Sequence, residues 1–326
     1  MVKIRPINFT AADFEHESIV WNDVWPHEQR LPHEMEHTAT RGTGRMRSTN
    51  YLAETMDGIP VGRGVLFIEN ASIGARKQLV RVMVRPAWRG QGIGRALSAR
   101  LEQQIAISNP DALITQTYEN ETDGLRMLKK LGFECKQRMP VSEIEVAAFD
   151  SAEFLPALTR IANRNITITT FDRLCDELGS DTAWSRMYQL RLAIAPDIPH
   201  YDPNQSYPSK EAWLARQTTH PTILHDGTFI ALHRGNWIGV SQLYERPAMP
   251  GLLDQGITGV RRAYRRMGVA TALKLRTLDL AQRRGASVIR TDNEENNPMY
   301  QLNLRLGFRP KPALLIFEKR WKRSEE

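Results

Sequence analysis

Two short stretches of the sequence combine glycine and arginine at a spacing suited to binding an anion. RGQGIG at residues 89–94 and RRMGVA at residues 265–270 each follow an apolar stretch and precede a helical pattern. A strand that ends in a glycine-rich turn and opens a helix leaves backbone N–H groups without intrahelical acceptors, and the helix dipole adds positive potential there. Both stretches therefore predict a site for an anion such as a phosphate, with arginine charge at its rim.

Other phosphate-binding patterns fit these residues less well. Neither stretch matches the GxxxxGK[ST] pattern of P-loop proteins, and a dinucleotide-binding GxGxxG pattern would need glycine where the sequence has Leu97. Tight packing between helix and strand is the ordinary explanation for a lone pair of glycines. The duplication, with a strand before and a helix after each copy, favours the anion site.

A third stretch, HEMEH from His33 to His37, matches the H-E-x-x-H spacing of zinc hydrolases. On a helix the two histidines would share a face, and Glu34 would act as base for a zinc-bound water. Pro32 precedes the motif, Glu36 adds charge within it, and no further ligand pattern follows. We therefore expect no metal site and keep a zinc hydrolase as an alternative.

The two glycine stretches belong to a longer internal repeat. Residues 84–97 and 260–273 align without gaps at an offset of 176 and share seven of fourteen residues. LGF recurs at residues 131–133 and 306–308, an offset of 175, so a single insertion or deletion separates two matched blocks. The repeat predicts two domains of ordinary size, which we assign to residues 1–148 and 157–326.

Each repeat predicts the same order of elements: a β-branched strand, the glycine stretch, a long helix, a second strand, a short helix and a final strand. The predicted elements are residues 78–84, 93–107, 112–118, 123–133 and 142–146 in the first half, and 255–260, 269–285, 287–291, 298–308 and 313–321 in the second. A hairpin precedes each block, turning at Asp57-Gly58 and at Arg234–Asn236. This alternation indicates the α/β class.

The composition limits the class of protein. The 326 residues are 41% hydrophobic and 25% charged, as in globular chains, and no apolar run approaches the roughly 18–20 residues that span a membrane. Cys135 and Cys175 have no nearby cysteine or histidine partner, which indicates reduced thiols and a cytoplasmic location. The net charge of +7 suits a phosphorylated ligand. Without a zinc-finger, RNP or basic-zipper pattern, we do not expect nucleic acid to be the partner, and we keep a nucleic-acid-binding protein as an alternative.

The two glycine stretches resemble the [QR]-x-x-G-x-[GA] motif of the GCN5-related N-acetyltransferases, the GNAT family. The later helix and LGF of each half are similar to that family too, so the resemblance covers nearly the whole chain as a tandem pair. It implies two domains, each with a splayed, mostly antiparallel mixed sheet flanked by helices. It also implies an N-acetyltransferase that transfers acetyl from acetyl-CoA to a primary amine of a small molecule or peptide, by direct attack in a ternary complex.

The resemblance also assigns residues to acetyl-CoA, the expected co-substrate. The amides of the glycine stretches would bind its pyrophosphate, and the backbone of the preceding strand would pair with its pantetheine. An asparagine at the start of the short helix would contact CoA in the second half, whereas the first half has Glu121 there. The implied residues are Val82, Met83, Val84, Arg89, Gly90, Gln91, Gly92, Ile93, Gly94, Arg95, Thr258, Gly259, Val260, Arg265, Arg266, Met267, Gly268, Val269, Ala270, Thr271 and Asn296.

Acyl transfer needs a proton acceptor for the amine, a donor for the oxyanion and a proton for the departing thiolate. The family usually supplies that last proton from a tyrosine four residues before the glycine of LGF, where this sequence has Leu128 and Asn303. Leucine has no proton to donate, and asparagine can only hydrogen-bond the sulfur. We therefore expect the second half to carry catalysis. The first half is then either active with an unfamiliar acid or a CoA-binding or structural copy.

The candidate bases are Asp254, before the splayed strand, and Glu245, at the end of the preceding hairpin strand. Tyr244 and Tyr300 are substitute acids, and Asn303 is a hydrogen-bond donor for the sulfur. Each of these residue types more often serves a surface or a core than a catalytic site. A CoA-binding regulatory protein without turnover therefore remains an alternative to the enzyme.

The acceptor amine is not specified by the sequence. Trp21, Trp25, Trp184 and Trp213 are candidates to line an acceptor cleft, although core packing is the more ordinary role of tryptophan. We expect a monomer or a homodimer.

Overall fold

The computed structural model describes residues 2–40, 48–67, 77–198 and 207–321. Its contacts divide the chain into two compact units. Unit 1 comprises Met1–Arg138 with Leu314–Glu326, and unit 2 comprises Met139–Ala313. Both units contain a mixed sheet with helices, which confirms the predicted α/β class.

The described elements of the first repeat follow the predicted order. They are β1 (Val2–Pro6), α1 (Ala11–Val24), α2 (Pro32–Thr40), β2 (Ser48–Thr55), β3 (Pro60–Phe67), β4 (Lys77–Val84), α3 (Ile93–Ser108), β5 (Ala112–Tyr118), α4 (Thr122–Lys130) and β6 (Glu134–Glu145). The strand and helix beside RGQGIG agree with the prediction to within one residue. β6 is the exception, because it begins eight residues earlier than predicted.

The second repeat adds helices before its first hairpin and then follows the same order. Its elements are α5 (Leu155–Ala162), β7 (Ile166–Thr170), α6 (Phe171–Leu178), α7 (Ser180–Ile194), α8 (Lys210–Thr218), β8 (Ile223–His233), β9 (Asn236–Glu245), β10 (Leu252–Val260), α9 (Val269–Arg283), β11 (Val288–Asp292), α10 (Pro298–Arg305) and β12 (Arg309–Arg320). Arg234 and Gly235 both have positive φ, as a tight two-residue hairpin turn requires.

The sheet of unit 1 has the order β1-β2-β3-β4-β5-β12. β4 and β5 are parallel, whereas the other neighbours are antiparallel. The parallel pairing is short: residues 77–79 face residues 112–114, after which β4 continues beside β3 and β5 continues beside β12. The strands therefore splay beyond Leu79 and Ile114, as the resemblance implies.

The sheet of unit 2 has the order β6-β11-β10-β9-β8-β7, again with one parallel pair. Residues 252–254 of β10 face residues 288–290 of β11. A bulge between Gln255 and Thr258 then turns β10, which continues beside β9 to Val260. In unit 2 the strands β10 and β11 therefore separate at the corresponding place, beyond Asp254.

Each unit contains the final strand of the other repeat. Residues 141–145 of β6 pair with β11 in unit 2, and residues 314–320 of β12 pair with β5 in unit 1. The compact units thus differ from the division into residues 1–148 and 157–326. The division at residues 148 and 157 follows the internal repeat of the sequence and stays a prediction.

LGF ends the short helix of each repeat in the same way. Gly132 and Gly307 adopt left-handed conformations, with φ of 79° and 92°. The N–H of the following phenylalanine donates to the carbonyl of Leu128 in unit 1 and of Asn303 in unit 2, both at 3.0 Å. These bonds form a Schellman motif, in which glycine supplies the positive φ and phenylalanine returns to the core. The motif fixes Leu128 in the last turn of α4 and Asn303 in the last turn of α10.

Two hydrophobic clusters cover the sheet of unit 2. α9 contributes Leu273 and Leu278 to one cluster, which contains Leu243 and Ile289 from the strands. α6, α7 and α8 form the other, which is rich in aromatic residues and contains Trp213 with Trp184 packed against it. Trp21 and Trp25 of unit 1 are also buried. All four tryptophans therefore contribute to packing.

Candidate active site

The two glycine stretches form loops of the same construction. Each leaves the last residue of its strand, passes through one turn of 3₁₀ helix (Pro86–Trp88 or Arg262–Tyr264) and reaches a glycine that begins a helix. The motif arginine is tied back to the strand in both: Nε of Arg89 donates to the carbonyl of Val84 at 3.2 Å, and Nε of Arg265 to that of Val260 at 3.1 Å. The motif arginines therefore hold the loops in shape besides supplying charge.

The helices α3 and α9 begin at N-cap glycines that leave their first amides open. Gly92 has φ of 79° and Gly268 has φ of 89°, and neither cap has a side chain that accepts a backbone N–H. The first intrahelical bonds are donated by Ala96 and Ala272, so the N–H groups before them have no intrahelical acceptor. An L side chain at either glycine would be strained, because both have a positive φ. The geometry fits a diphosphate at each helix start.

The charges beside the two loops differ. In unit 2, Asp197, in the 3₁₀ turn that follows α7, pairs with Arg262 at 2.6 Å and with Arg265. The hydrogen bond from Arg262 lowers the pKa of Asp197. In unit 1, Arg89 lies 3.8 Å from the carboxylate of Glu121, the first residue before α4. Each motif arginine thus has a carboxylate nearby.

The strand segments beyond the splay keep one edge for a ligand. Residues 82–84 pair with β3 and residues 258–260 pair with β9, while their other edges lie past the end of the parallel pairing. In unit 2 the buried Gln255 holds the bulge: its amide donates to Ser241 at 3.1 Å and to the carbonyl of Gln242 at 2.9 Å. The Thr277 hydroxyl of α9 donates to the side-chain oxygen of Gln255 at 2.9 Å. The opening is therefore built into the strand.

Two candidate catalytic residues meet on one face of unit 2. Asp254 lies opposite Tyr244 in the β9–β10 pair, and Nε of Arg246 forms an ion pair with the Asp254 carboxylate at 2.5 Å. The Tyr244 hydroxyl donates to the Gln242 side chain at 2.9 Å. A Cβ atom at Gly256 would lie 2.3 Å from the Tyr244 ring, so this position requires glycine. The structure thus groups a carboxylate and a phenol immediately before the bulge.

Glu245 does not join this group. Successive residues of a strand point to opposite faces, so Glu245 lies on the other face from Tyr244. Its carboxylate is exposed and pairs with Arg284, just past the end of α9, at 3.2 Å. Its backbone N–H donates to the Thr222 carbonyl. The sequence could not reveal this because it does not fix the face of a residue at a strand end.

The remaining candidates lie on or just before α10. Asn303 is fully buried; its amide donates to Asn293 at 2.6 Å, and its carbonyl oxygen has no hydrogen-bond partner among the described residues. Tyr300 is half-buried one turn earlier, on the same face of the helix. Asn296 is exposed and donates from its side chain to Glu294 at 2.9 Å. Unit 2 thus has polar groups where α10 faces the interior.

Unit 1 lacks the corresponding polar side chains. Leu79 is the last residue of β4 that pairs with β5, as Asp254 is the last residue of β10 that pairs with β11. The bulge adds one residue to β10, so Leu79 stands where unit 2 has Asp254. Leu128 stands where unit 2 has Asn303. At both positions unit 1 therefore has an apolar side chain.

Lys274 is a buried polar residue of unit 2 that the sequence reasoning missed. It lies on α9 with 2% of its surface exposed, and its Nζ is 5.5 Å from the centre of the Phe308 ring. Burial lowers its pKa to about 7. Its spacing of four and seven residues from the buried Leu278 and Ala281 places it on the apolar face of α9. A lysine among the apolar positions of this helix was the signal by which the sequence could have identified it.

The structure gives HEMEH a helical setting. Both histidines lie on α2, and the side chain of Glu34 accepts the Leu31 N–H at 2.7 Å, as a capping residue does. Across the described ranges, no three His, Cys, Asp or Glu side chains are grouped to hold a metal ion. In the same ranges, no helix is both long and apolar enough to cross a membrane.

Comparison with known families matches both repeats. The family described as "Acetyltransferase (GNAT) domain" matches residues 47–135, and the one described as "Acetyltransferase (GNAT) family" matches residues 184–308. Each match contains one glycine loop with its strand and helix. A sequence search of curated proteins gave no significant match.

Solved structures share the fold over the full chain. A tandem GNAT protein from the clavulanic acid biosynthesis pathway matches over 100% of both chains, with 17% identity and a TM-score of 0.73. A GCN5-related N-acetyltransferase from Sphaerobacter thermophilus matches over 98% of this chain and 95% of its own, with 20% identity and a TM-score of 0.66. A putative acetyltransferase from Pyrococcus horikoshii matches over 100% and 91%, with 16% identity and a TM-score of 0.54. The chain therefore belongs to the GCN5-related N-acetyltransferase family, with one GNAT domain matched in each half.

Proposed function

We propose that this protein transfers the acetyl group of acetyl-CoA to a primary amine of a small molecule or peptide, and that unit 2 carries out the reaction. One observation carries the proposal. Unit 2 has open amides at the start of α9, the carboxylate of Asp254 at the splay and the polar Asn303 on α10. Unit 1 has the open amides, but Leu79 and Leu128 at the other two positions.

The binding residues follow from the loop geometry. Acetyl-CoA would supply the activated acyl group as a co-substrate. The first-turn amides of α9 would hold its diphosphate, with Arg265 and Arg266 adding charge, and the open edge of residues 258–260 would lie along its pantetheine. Asn296 would contact CoA once released from Glu294. The same arrangement in unit 1 supports CoA binding without turnover there.

The proton transfers fall to side chains near the splay. Asp254 would accept the proton of the amine, directly or through water, with Arg246 orienting its carboxylate. Tyr300 would donate the proton to the departing thiolate, and the Asn303 amide would hydrogen-bond the sulfur. Tyr244, held by Gln242, is the second candidate acid. Metal-independent catalysis, a cytoplasmic location and a monomeric or homodimeric state are further parts of this proposal.

Matched glycine variants test the proposal. Gly268→Tyr should abolish acetyl-CoA-dependent CoA release by covering the amides of α9, whereas Gly92→Tyr should leave it intact. The control is Gly235→Tyr in the β8–β9 turn, which also has a positive φ and nothing within 4 Å of an added Cβ. CoA release would be followed over a panel of amino acids, polyamines, peptides and amine antibiotics, with acetyl-CoA binding measured by calorimetry.

Three results would change the assignment. Folded Gly268→Tyr protein with unchanged acetyl-CoA affinity and turnover would remove unit 2 as the active unit. Loss of turnover in Gly92→Tyr alone would move the reaction to unit 1. Tight acetyl-CoA binding without release on any amine of the panel would favour a CoA-binding regulatory protein.

A further inference from the structure

Unit 1 holds a group of arginines in its interior, around one tryptophan. The guanidinium carbons of Arg30, Arg81 and Arg63 lie 4.3, 5.1 and 5.6 Å from the centre of the Trp21 ring, and that of Arg81 lies 5.2 Å from the ring of Trp25. We refer to Arg30, Arg63 and Arg81 as the arginine cluster. The tryptophans belong to α1, whereas Arg63 and Arg81 belong to β3 and β4.

Arg81 sits where the sheet of unit 1 opens. It follows Leu79, the last residue of β4 that pairs with β5, by two positions. Its Nη2 donates to the Gln116 side chain of β5 at 2.8 Å, so the guanidinium bridges the gap between the separating strands. Arg81 is half-buried and thus open to solvent in part. We call this gap, beyond Leu79 and Ile114, the unit 1 cleft.

Arg63 has a carboxylate partner, whereas Arg81 has none among the described residues. The Glu17 carboxylate lies 3.0 Å from the Arg63 guanidinium, and both residues are buried. Asn50 also donates to Glu17, at 3.1 Å. Within the same part of the chain, the Nε atoms of Arg63 and Arg81 are buried without a hydrogen-bond partner. Arg81 therefore adds a positive charge next to Arg63 that no carboxylate of the described residues balances.

This arrangement costs free energy in the protein alone. Burial and the nearby charges of Arg63 and Arg30 lower the pKa of Arg81 to about 9, so the group is still charged at neutral pH. A buried charge normally has a partner of opposite sign, and a buried donor normally has an acceptor. Guanidinium groups bind carboxylate and phosphate oxygens with paired, charge-assisted hydrogen bonds.

We infer that the unit 1 cleft binds a small molecule through an oxyanion, a carboxylate or a phosphate group, held by Arg81 with the support of Arg63 and Gln116. The site goes beyond the proposed acetyl transfer, because it lies in unit 1 and depends on no residue of the proposed reaction in unit 2. The ligand is an anionic acceptor or effector of low molecular weight.

A purely structural role and a binding role for Arg81 predict opposite changes in stability when the residue is replaced. If Arg81 served only to pack on the tryptophans and bond Gln116, its replacement would destabilise the protein. If it is a binding residue that is costly without its ligand, Arg81→Gln should fold with an equal or higher midpoint of thermal unfolding. The same variant should lose anion binding.

The experiment uses the full chain with sodium malonate and inorganic phosphate as probes, against sodium chloride at equal ionic strength. Calorimetry gives the dissociation constant, and thermal unfolding gives the stabilisation by each probe. We expect one probe to bind and stabilise the wild type beyond the chloride control, and Arg81→Gln to bind it about tenfold to a hundredfold more weakly. Arg126→Gln removes the same charge from the exposed surface of α4 and should bind as the wild type does.

The outcomes separate the possibilities. Tighter binding of malonate identifies a carboxylate ligand, and tighter binding of phosphate identifies a phosphate ligand. If Arg81→Gln fails to fold, Arg81→Lys replaces it: keeping the charge but losing the planar fork, it should bind about tenfold more weakly. Stabilisation by neither probe, or undiminished binding in folded Arg81→Gln or Arg81→Lys, would overturn the inference. Unchanged acetyl transfer in Gly268→Tyr would contradict the proposed function and would leave this inference standing.

Discussion

Unit 1 and unit 2 share the backbone of the glycine loop and differ in the side chains that face the splay. Both loops start a helix at a left-handed glycine and tie the motif arginine to the last strand carbonyl. At matched strand positions, however, unit 1 has Leu79 and Arg81, whereas unit 2 has Asp254 and Ile257. The loop is retained because its shape depends on glycine and backbone bonds. The strand side chains beside it are free to carry different chemistry.

The surroundings of the matched pair Arg81 and Ile257 sharpen this contrast. Both lie near aromatic residues contributed by helices of their own unit. Ile257 packs against the cluster that contains Trp213, where an apolar side chain needs no partner. Arg81 places a charge in the corresponding position beside Trp21 and Trp25. Duplication thus yields two similar clefts, of which only the first is arranged for an anion at this position.

The largest expected effect comes from Asp254→Asn. The amide keeps the shape of the side chain but cannot accept a proton, so kcat should fall by about 10²–10³-fold. The affinity for acetyl-CoA should change little, because Asp254 lies on β10 away from the open amides of α9. Steady-state CoA release and calorimetry measure the two quantities.

Gln78→Met is the control change in unit 1, next to Leu79, the counterpart of Asp254. It removes the hydrogen bond with Ser108 and should lower stability by about 1 kcal/mol while leaving kcat unchanged. Similar losses of kcat in both variants would break the assignment of chemistry to unit 2. Full activity in Asp254→Asn would remove Asp254 as the base.

The second effect concerns stability and the buried Lys274, where unit 1 has the uncharged Ser98. Burial holds the pKa of Lys274 at about 7 in the folded state, against its usual 10.5. As the pH falls from 10.5 to 7, the unfolded chain takes up a proton that the folded protein resists, so the folded state loses stability. Below pH 7 both states are protonated and the loss is constant. Lys274→Met should therefore raise the midpoint of unfolding by about 5–10 °C at pH 7.

Calorimetric unfolding from pH 6 to pH 10 checks the sign. The advantage of Lys274→Met over the wild type should shrink as the pH rises toward 10. Arg276→Met removes a charge from the exposed face of the same helix and should show no such trend. A stability gain independent of pH would mean that packing alone accounts for the change.

Local residue patterns predicted most of the helices and strands, because the residues that determine each of them lie close together in the sequence. The predicted strand of residues 112–118 coincides with β5, and both glycine loops lie between the predicted strand and helix. Turn glycines mark positions where positive φ is required, as at Gly132 and Gly307. These features depend on backbone conformation that the residue types dictate.

Long-range pairing was beyond the sequence patterns. The final strands could have closed their own repeats; the pairing of β12 with β5 depends on contacts far apart in the chain. The same holds for Arg81, which meets Trp21 sixty residues earlier in the sequence. The sequence also did not show that Tyr244, and not Glu245, lies opposite Asp254, because this depends on the register of β9 against β10. The sequence predicted Asn303 as a candidate. Its burial, and its side-chain oxygen without a hydrogen-bond partner among the described residues, follow from the packing of α10, which the sequence does not show.

A smaller effect tests the charges that flank the loops. Glu121 places a carboxylate near Arg89, where the second repeat has the neutral Asn296. Glu121→Asn should strengthen acetyl-CoA binding by unit 1 about fivefold at low salt, because it removes a negative charge near the diphosphate. The measurement requires the Gly268→Tyr background, so that only the loop of unit 1 is open.

The reciprocal change is Asn296→Glu in the Gly92→Tyr background. It should weaken binding by unit 2 by a similar factor, and 0.5 M salt should reduce both effects. Opposite changes in the two units would show that local charge sets the difference in affinity. Changes of the same sign, or none at low salt, would show that the loops differ for another reason.

The smallest expected effect belongs to Asp197, which pairs with Arg262 and Arg265 at the loop of unit 2. An incoming diphosphate must compete with this carboxylate for Arg265, but both arginines are exposed, and exposed ion pairs contribute at most about 1 kcal/mol. Asp197→Asn should therefore tighten acetyl-CoA binding by no more than about fivefold, with kcat unchanged. Asp279→Asn removes a carboxylate from the same unit, where it pairs with Arg283 near the far end of α9, and should leave the affinity as it is. Weaker binding in Asp197→Asn would mean that the carboxylate positions the arginines for the diphosphate rather than competing with it, and the two loops would then differ in mechanism as well as in charge.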